Sequence, residues 1–292
     1  MPRSSAPLAL TAVCAVAISL AACAPQDEAP TVNPATPAAT AGAGCAKEKL
    51  PTRTAGKLTV ATDEPAYEPW FTDNKPANGE GFESAVAYAV ATKLGYAPAD
   101  VTWARVKFDT AVAPGPKNFD FDINQFSITE ERKKAVDFSS PYHLVRQAVI
   151  APKSGKIAGK KSLADLRGAK LGAQVGTTSY QAITQVIKPT AQPQVYNSND
   201  DAKKALQNRQ IDGLVVDLPT AFYITGAELT DTTIVGQLPQ VGSPEAFGLL
   251  LDRNSPLTAC VSGAVDQLRA DGTLQQLEQK WLAQVAGATE LT

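Results

Sequence analysis

The chain has 292 residues and a net charge near −2, from 27 Lys and Arg against 29 Asp and Glu, which argues against nucleic-acid binding because that activity usually needs a basic surface. Its hydrophobic fraction of 44 % is typical of a globular protein and excludes a chain made of several membrane spans. A single histidine disfavours His-rich zinc sites and Ser/His/Asp or Cys/His catalysis, so we expect no metal and no cofactor.

Residues 1–22 predict an export signal. Arg3 precedes an apolar run at 7–20 that has signal-peptide length and is too short for a membrane-spanning helix. The run ends in the sequence LAAC, which resembles a bacterial lipobox with Cys23 as the lipidated residue and mature N-terminus. The alternative is an ordinary signal cleaved nearby, with Cys23 incidental.

Residues 23–45 are interpreted as the lipidated cysteine and a disordered spacer. The spacer is rich in Ala, Pro, Thr and Gly and has no aromatic residue, so it cannot bury enough apolar surface to offset its ordering entropy. With Cys14 in the signal and Cys23 lipidated, Cys45 and Cys260 remain as an even pair in an exported protein. An oxidising compartment predicts a disulfide between them, and two free thiols are the alternative.

Strands and helices alternate after the spacer. Residues 81–94, for example, place Phe82, Val86, Val90 and Leu94 at i, i+4 spacing, which predicts a helix ending at Gly95. The expected strands are 57–62, 101–106, 119–124, 146–151, 170–175, 194–196, 211–217, 232–238 and 247–251. The expected helices are a start at 127–132, then 162–166, 178–187, 200–208, 218–224, 256–270 and 274–285. This alternation predicts an α/β architecture with mainly parallel sheets.

The segment 126–132, FSITEER, carries the first candidate site residues. Ser127 and Glu130 have capping-box spacing, which predicts a helix start that puts Arg132 in the first turn beside unpaired backbone N–H groups. A planar guanidinium beside free N–H donors suits a carboxylate, which it can bind bidentately. A surface arginine paired with a glutamate is the alternative.

Two further motifs follow strands of the second half of the chain. Gly176, Thr177 and Thr178 form a turn that opens a helix and offers N–H groups and hydroxyls to an anion, although an ordinary N-cap has the same pattern. Asp217 ends the nearly continuous apolar strand IDGLVVD. Ligands of open α/β sheets bind beyond the carboxyl ends of strands, and a carboxylate there can receive an ammonium group, or else cap the next helix.

The fourth motif is TDEPAYEPW at 62–70, directly after the first expected strand. It places the carboxylate of Asp63 and the aromatic rings of Tyr67 and Trp70 at another strand end. The alternative is a pair of core aromatics under a proline-rich loop.

Together these residues resemble the extracellular solute-binding proteins of family 3, which deliver polar amino acids to ABC importers. The resemblance covers about residues 50–292, and its motifs recur in the family's order. The matching segments are LTVATDEPAY at 58–67, GFESAVAYAVATKLG at 81–95, FSITEERKKAVDFSSPY at 126–142, LGAQVGTTSY at 171–180, IDGLVVDLPTA at 211–221 and LRADGTLQQLEQKWL at 268–282.

This resemblance implies a two-lobed periplasmic-binding-protein-like fold of type II, with two mainly parallel sheets joined by two hinge strands. Lobe 1 would comprise 46–146 plus 241–292 and lobe 2 would comprise 147–240. The lobes would close on the ligand by a hinge motion that the bound ligand favours.

The resemblance also implies roles for individual residues. Arg132 matches the clamp for the ligand α-carboxylate, with Gly176, Thr177 and Thr178 as its partner on the other lobe. Asp217 matches the acceptor of the α-ammonium, and Ser127 matches a residue that touches the same zwitterion. Tyr67 matches an aromatic that packs on the ligand side chain, and Trp70 belongs to the same motif.

Departures from the family pattern concern the ligand side chain. Counting from the first strand selects Asp63 as the acid that faces it, and counting back from Tyr67 selects Glu64; we prefer Asp63, which favours amide or cationic side chains. Asn124, Gln125 and Phe126 lie where the family more commonly has small residues, so the pocket is expected to be narrower and richer in amides.

The expected partners are a free amino acid, an ABC transporter permease and the membrane, the last through the lipid anchor alone. The protein is expected to be an extracytoplasmic monomer, anchored to the cell membrane, and not an enzyme. The alternative is a cyclohexadienyl or arogenate dehydratase on the same fold, with Glu64, Glu68 and His143 as candidate acid and base. A receptor sensory domain would need a transmembrane helix and an output domain, and an adhesion protein would leave Arg132, Thr178 and Asp217 unexplained.

Overall fold

The computed structural model describes residues 44–282 and 287–292. The expected signal peptide, Cys23 and nearly all of the spacer therefore lie outside the described residues. Within the described ranges, no helix is long and apolar enough to cross a membrane.

Ten strands and eight α-helices make up the described chain. The strands are β1 (Leu58–Thr62), β2 (Val101–Arg105), β3 (Phe121–Asp122), β4 (Asp137–Leu144), β5 (Gln147–Pro152), β6 (Leu171–Gln174), β7 (Gln194–Tyr196), β8 (Gly213–Asp217), β9 (Thr232–Gln237) and β10 (Ala246–Leu251). The helices are α1 (Phe82–Lys93), α2 (Phe108–Val112), α3 (Leu163–Leu166), α4 (Thr178–Ala182), α5 (Asn199–Gln207), α6 (Leu218–Tyr223), α7 (Thr258–Ala270) and α8 (Thr273–Leu282).

The strands form two five-stranded sheets, and each sheet with its helices is called a lobe below. The first sheet has the order β2-β1-β3-β10-β4, and the second has the order β7-β6-β8-β5-β9. The chain passes from the first sheet to the second between β4 and β5, and it returns between β9 and β10. We call these two passages the crossings.

Both sheets are mixed, so the expectation of mainly parallel sheets needs correction. In each sheet two neighbouring pairs are parallel, as in β2-β1-β3, and two are antiparallel, as in β3-β10-β4. Parallel neighbours require a crossover connection that returns the chain to the same edge. Strands β5 and β10 instead enter their sheets directly from the other lobe, so they can run against their neighbours.

Most of the expected elements are confirmed within one or two residues, but three regions differ. Helix α2, at Phe108–Val112, was not expected. The stretch 127–132 does not begin an α-helix; a 3-10 turn at Arg132–Lys134 follows it, and Thr129 Oγ1, not Ser127, accepts from the Arg132 N–H at 3.1 Å. Strand β4 was not expected. It contains Pro141 and lies at the end of its sheet, the position where a strand tolerates proline.

Cys45 and Cys260 form the expected disulfide, with their Cα atoms 5.4 Å apart. The bond ties the start of the described chain to α7. Both cysteines pack against the hydrophobic core of the first lobe, which also buries large side chains such as Trp70, Phe82 and Phe247.

The last six residues lie against the second lobe, although the sequence placed all of 241–292 in the first. Gln237 N–H donates to Thr289 O at 2.9 Å, and Leu291 N–H donates to Gln237 O at 2.9 Å. The Leu291 side chain is 1 % exposed and belongs to a core cluster of the second lobe. Backbone pairing with β9 and burial of one leucine therefore hold the chain end on the second lobe.

Candidate ligand-binding site

A cavity between the two lobes brings together most of the residues that the sequence singled out. Seven of them line it: Asp63, Tyr67, Gln125, Arg132, Thr177, Thr178 and Asp217. Asn124, which the sequence analysis expected to narrow the pocket, also lines it. Residues that sequence reasoning missed line it too: Phe108, Gln174, Ser179, Asn199, Val216 and Thr220. The cavity lies where β1, β3, β6 and β8 end, in keeping with the rule that ligands bind at the carboxyl ends of parallel strands.

Arg132 supplies a fixed cation at the inner end of this cavity. Its guanidinium donates to Ser127 O at 2.7 Å in its own lobe and to Gly176 O at 3.0 Å in the other. It also lies 5.3 Å from the centroid of the Phe108 ring, within range of a cation–π interaction. Burial lowers the pKa of Arg132 to about 10, so the group remains charged at neutral pH.

Thr178 begins α4 on the opposite wall. Thr177 caps that helix, since its hydroxyl accepts from the Tyr180 N–H at 3.3 Å. The Thr178 hydroxyl lies 3.2 Å from the Ser127 hydroxyl, which comes from the first lobe. The hydroxyls and the guanidinium thus converge from both lobes on one region, where they can hold an anion.

Asp217 faces this region from the end of β8. It occupies the N-cap position of α6, and among the described residues its side chain makes no capping bond there. Its carboxylate instead accepts from Gln147 Nε2 at 2.7 Å. Burial and, to a smaller extent, the neighbouring Glu245 carboxylate together raise the pKa of Asp217 to about 8. A ligand ammonium group would supply the positive charge that this carboxyl group needs to ionise.

Gln147 and Glu245 were missed by sequence reasoning, yet they lie beside these groups. Glu245 accepts from the Ser127 hydroxyl at 2.6 Å and from Gln147 Nε2 at 3.1 Å. Gln147 begins β5 and Glu245 precedes β10, so each lies on one of the two crossings. Neither belongs to a local motif, because their partners are distant in sequence.

The other end of the cavity holds Asp63. Its carboxylate accepts from the Glu64 N–H at 2.6 Å and the Phe108 N–H at 3.3 Å, while burial raises its pKa. An adjoining outer cavity shares Asp63 and Tyr67 and adds three acids, Glu64, Asp109 and Asp201, against Lys107. This end therefore has an excess of negative charge.

Gln125 reaches the cavity from a strained backbone position with φ of 45°. Its backbone N–H donates to Glu83 Oε1 at 2.6 Å, and its amide and the Tyr142 hydroxyl also contact that carboxylate. Glu83 is fully buried, and burial raises its pKa to about 7. The glutamine is thus held in place from beneath by a buried carboxyl group.

Trp70 differs from the other members of its motif. Its ring is fully buried in the first lobe, edge-on to Phe82 and Phe247. Its indole N–H donates to the Thr220 hydroxyl of the second lobe at 2.9 Å. The structure thus places Trp70 as a core residue that makes a contact between the lobes, away from the cavity lining.

Comparison with known proteins identifies the family. The model of the bacterial extracellular solute-binding proteins, family 3, matches residues 58–284. The chain belongs to this family. Its members are extracytoplasmic solute-binding proteins, and the resemblance drawn from the sequence motifs is confirmed.

Curated relatives of this solute-binding protein carry amino-acid names. The L-cystine-binding protein TcyJ of Escherichia coli (strain K12) is 29 % identical over 77 % of this chain and 82 % of its own length. The ABC transporter arginine-binding protein 1 of the same organism is 31 % identical over 71 % of this chain and 84 % of its own.

Solved structures with the same fold include an ancestral arginine-binding protein bound to glutamine. It has a TM-score of 0.65 and 31 % identity, over 78 % of this chain and 98 % of that one. The ancestral amino acid-binding protein AncCDT-1, a precursor of cyclohexadienyl dehydratase, has a TM-score of 0.64 and 32 % identity, over 78 % and 95 % of the two chains. The solute-binding protein thus has the two-lobed type II periplasmic-binding-protein fold.

Proposed function

We propose that this protein is the substrate-binding lipoprotein of an ABC importer that captures a polar amino acid between its lobes and delivers it to the permease. The observation that carries this proposal is the pairing, in one cavity, of a buried cation, Arg132, with the carboxyl group of Asp217, while Glu245 lies beside them. A free amino acid has the matching pair of charges, a carboxylate and an ammonium group that are both bonded to its Cα.

The wall that faces the ligand side chain supports a preference for amide or cationic groups. Asp63 lies at that end, and the acids of the outer cavity extend the negative charge beyond it. Asn124 and Gln125 add amide groups that can both donate and accept. An ammonium, guanidinium or amide at the end of the side chain would find acceptors there.

Anchoring by a lipidated Cys23 remains part of this proposal. The sequence pattern at 20–23 and the spacer at 24–44 support it, and both lie almost wholly outside the described residues. A tethered monomer on the outer face of the membrane would keep the captured amino acid close to its permease.

The alternative, a cyclohexadienyl or arogenate dehydratase, has a structural neighbour in its favour, the precursor AncCDT-1. Glu64 lines the outer cavity, but the other two candidate residues do not favour this alternative. His143 packs edge-on against Trp70 and lies 2.7 Å from Glu278, and Glu68 accepts from the Asp73 N–H near the surface. Both side chains are thus engaged in structural contacts.

A thermal-shift screen tests the proposal. The chain from residue 24 onward is melted with each of the twenty amino acids and with prephenate and arogenate. A ligand that binds the native state alone stabilises it by about 4 kcal/mol at a thousandfold excess over Kd. We expect a clear shift with one or a few polar amino acids. Shifts or turnover with prephenate or arogenate and with no amino acid would contradict the proposal and favour the dehydratase.

A further inference from the structure

Gln147 and Glu245 join the two crossings to each other at the inner end of the cavity. We propose that they act as positioning residues, which hold Asp217 and Ser127 in place for the ligand and set the protonation of Asp217. The role in ligand binding rests on the proposed function, whereas the effect on Asp217 can be measured in the protein alone.

The side chain of Gln147 is fixed by its hydrogen bonds. Its amide nitrogen donates to Asp217 Oδ1 at 2.7 Å and to Glu245 Oε2 at 3.1 Å, and its amide oxygen accepts from the Ser179 hydroxyl at 2.7 Å. The side chain is buried, with 6 % of the residue exposed. The opposite orientation would place the amide oxygen against the Glu245 carboxylate and remove the donor to Asp217 Oδ1, so the two N–H groups separate those acids in one defined geometry.

Glu245 connects the same network to the first lobe. Its Oε1 accepts from the Ser127 hydroxyl at 2.6 Å, and that hydroxyl lies 3.2 Å from the Thr178 hydroxyl. The network therefore contacts the anion-binding groups on one side and Asp217 on the other. A displacement of either crossing would move the acceptor for the ligand ammonium relative to the donors for the ligand carboxylate.

Charges around Asp217 come from several elements. Glu245 on the return crossing and Glu83 on α1 disfavour its ionised form, and Arg132 favours it. Tyr142 on β4 also lies within electrostatic range, with its own hydroxyl held by Glu83. When two carboxylates share a site, the charge of one strongly disfavours ionisation of the other. Neutralising Glu245 therefore makes Asp217 easier to ionise.

The first measurement needs no ligand and uses Glu245→Gln. Asp217 binds its proton more tightly in the folded chain than when unfolded, so it makes the free energy of unfolding fall as pH rises from about 4 to about 8. Subtracting the Glu245→Gln curve from the wild-type curve isolates the share that depends on Glu245. We expect the fall in the variant to end at a lower pH than in the wild type. Glu48→Gln, at an exposed acid, is the matched control and should follow the wild-type curve.

The second measurement is calorimetric titration with L-arginine and L-glutamine. Gln147→Met keeps the side-chain size and removes its hydrogen bonds, and we expect it to weaken binding by ten- to a hundredfold. The losses in Gln147→Met and Glu245→Gln should be non-additive in the double variant, because both disrupt one network. Gln207→Met, at an exposed residue of α5, is the control and should bind like the wild type.

The outcomes separate the two proposals. Wild-type protein that binds neither these nor other amino acids would contradict the proposed function, while the unfolding curves still decide the effect of Glu245 on Asp217. Wild-type protein that binds, with unfolding curves and affinities unchanged in both variants, would overturn the positioning role alone.

Discussion

Arg132 combines a charge, a nearly buried position and hydrogen bonds to backbone carbonyls of both lobes. We expect Arg132→Met to weaken amino-acid binding by about a hundredfold, because the ligand carboxylate would lose a charged partner in a desolvated cavity. Calorimetric titration of the amino acid found in the screen measures this loss. Lys133→Met is the matched control, since that neighbouring cation is exposed and pairs with Glu130 on the surface. Equal affinities for the two variants would remove Arg132 from the site.

A second prediction concerns the proton that Asp217 releases when the ligand binds. With a pKa of about 8 in the ligand-free protein, its carboxyl group is mostly protonated at pH 7. A ligand ammonium favours the ionised form, so binding should release close to one proton at pH 7, and affinity should rise as pH increases from about 6 to 8. Titrations in two buffers of different ionisation enthalpy count the protons released.

Asp217→Asn is the control for this experiment, because it removes the titrating group while keeping the shape of the side chain. The asparagine variant should bind more weakly and release no proton from this position. A wild-type protein whose affinity and proton count do not change between pH 6 and 8 would contradict the assignment of Asp217 as the ammonium acceptor.

At the scale of elements, the Cys45–Cys260 disulfide closes a sequence separation of 215 residues while lying wholly within the first lobe. We expect the double variant Cys45→Ser/Cys260→Ser to lose about 2–5 kcal/mol of unfolding free energy, because the unfolded chain regains its entropy. Ligand affinity should stay within about twofold, since the bond lies outside the cavity. Urea unfolding and calorimetry measure the two quantities. A large loss of affinity at unchanged stability would contradict the expectation that the disulfide stabilises the fold without affecting the cavity.

Local pattern explains which elements could be predicted from the sequence. The segment of α1 has apolar residues at i, i+4 spacing, and the segment of β8 is a nearly continuous apolar run. The helix and the strand that these patterns predict are both confirmed. Strand β4 has the sequence DFSSPYHL, whose polar residues and Pro141 hide its pairing with β10. The capping-box spacing of Ser127 and Glu130 was misleading because Ser127 instead bonds to Glu245 across the chain.

The same distinction, between residues in local motifs and residues brought together by the fold, applies to the site. Arg132, Thr178 and Asp217 each belong to a short motif at the end of an element, so their grouping could be inferred from motif order and strand ends. Gln147 and Glu245 become neighbours through the meeting of the two crossings, which leaves no local pattern. Trp70 shared a motif with Tyr67, but its ring packs inward where Phe82 and Phe247 surround it.

The two lobes are in contact across the cavity. Arg132 with Gly176, Ser127 with Thr178, and Trp70 with Thr220 each join one lobe to the other. Under the proposed function, ligand entry would require these contacts to open, and bound ligand would add further contacts to the closed form. The ligand thus favours closure by its differential interaction with the two states.

The chain end adds a third connection between the lobes. Helix α8 packs in the first lobe and Leu291 lies in the core of the second, so the chain passes from one lobe to the other after α8. We expect Leu291→Asp to cost about 3–5 kcal/mol of unfolding free energy in the second lobe, because the variant must bury a carboxylate or release the chain end. With that connection released, the ligand-free protein should expand, which small-angle X-ray scattering detects as a larger radius of gyration.

A second variant, in β9, disrupts the packing of Leu291 from the side of the second lobe. A Cβ added at Gly236 would lie 2.7 Å from Leu291 Cγ and 2.8 Å from Thr289 O, so Gly236→Ala should displace the chain end without adding a charge. Val195→Asp, at a half-exposed residue of β7 in the same lobe, controls for the effect of an acid on that lobe. If Leu291→Asp and Gly236→Ala both expand the protein and Val195→Asp does not, the chain end limits how far the lobes separate. Equal radii for all three variants would show that the two crossings alone set the separation, and that burial of Leu291 stabilises the second lobe without restraining its motion.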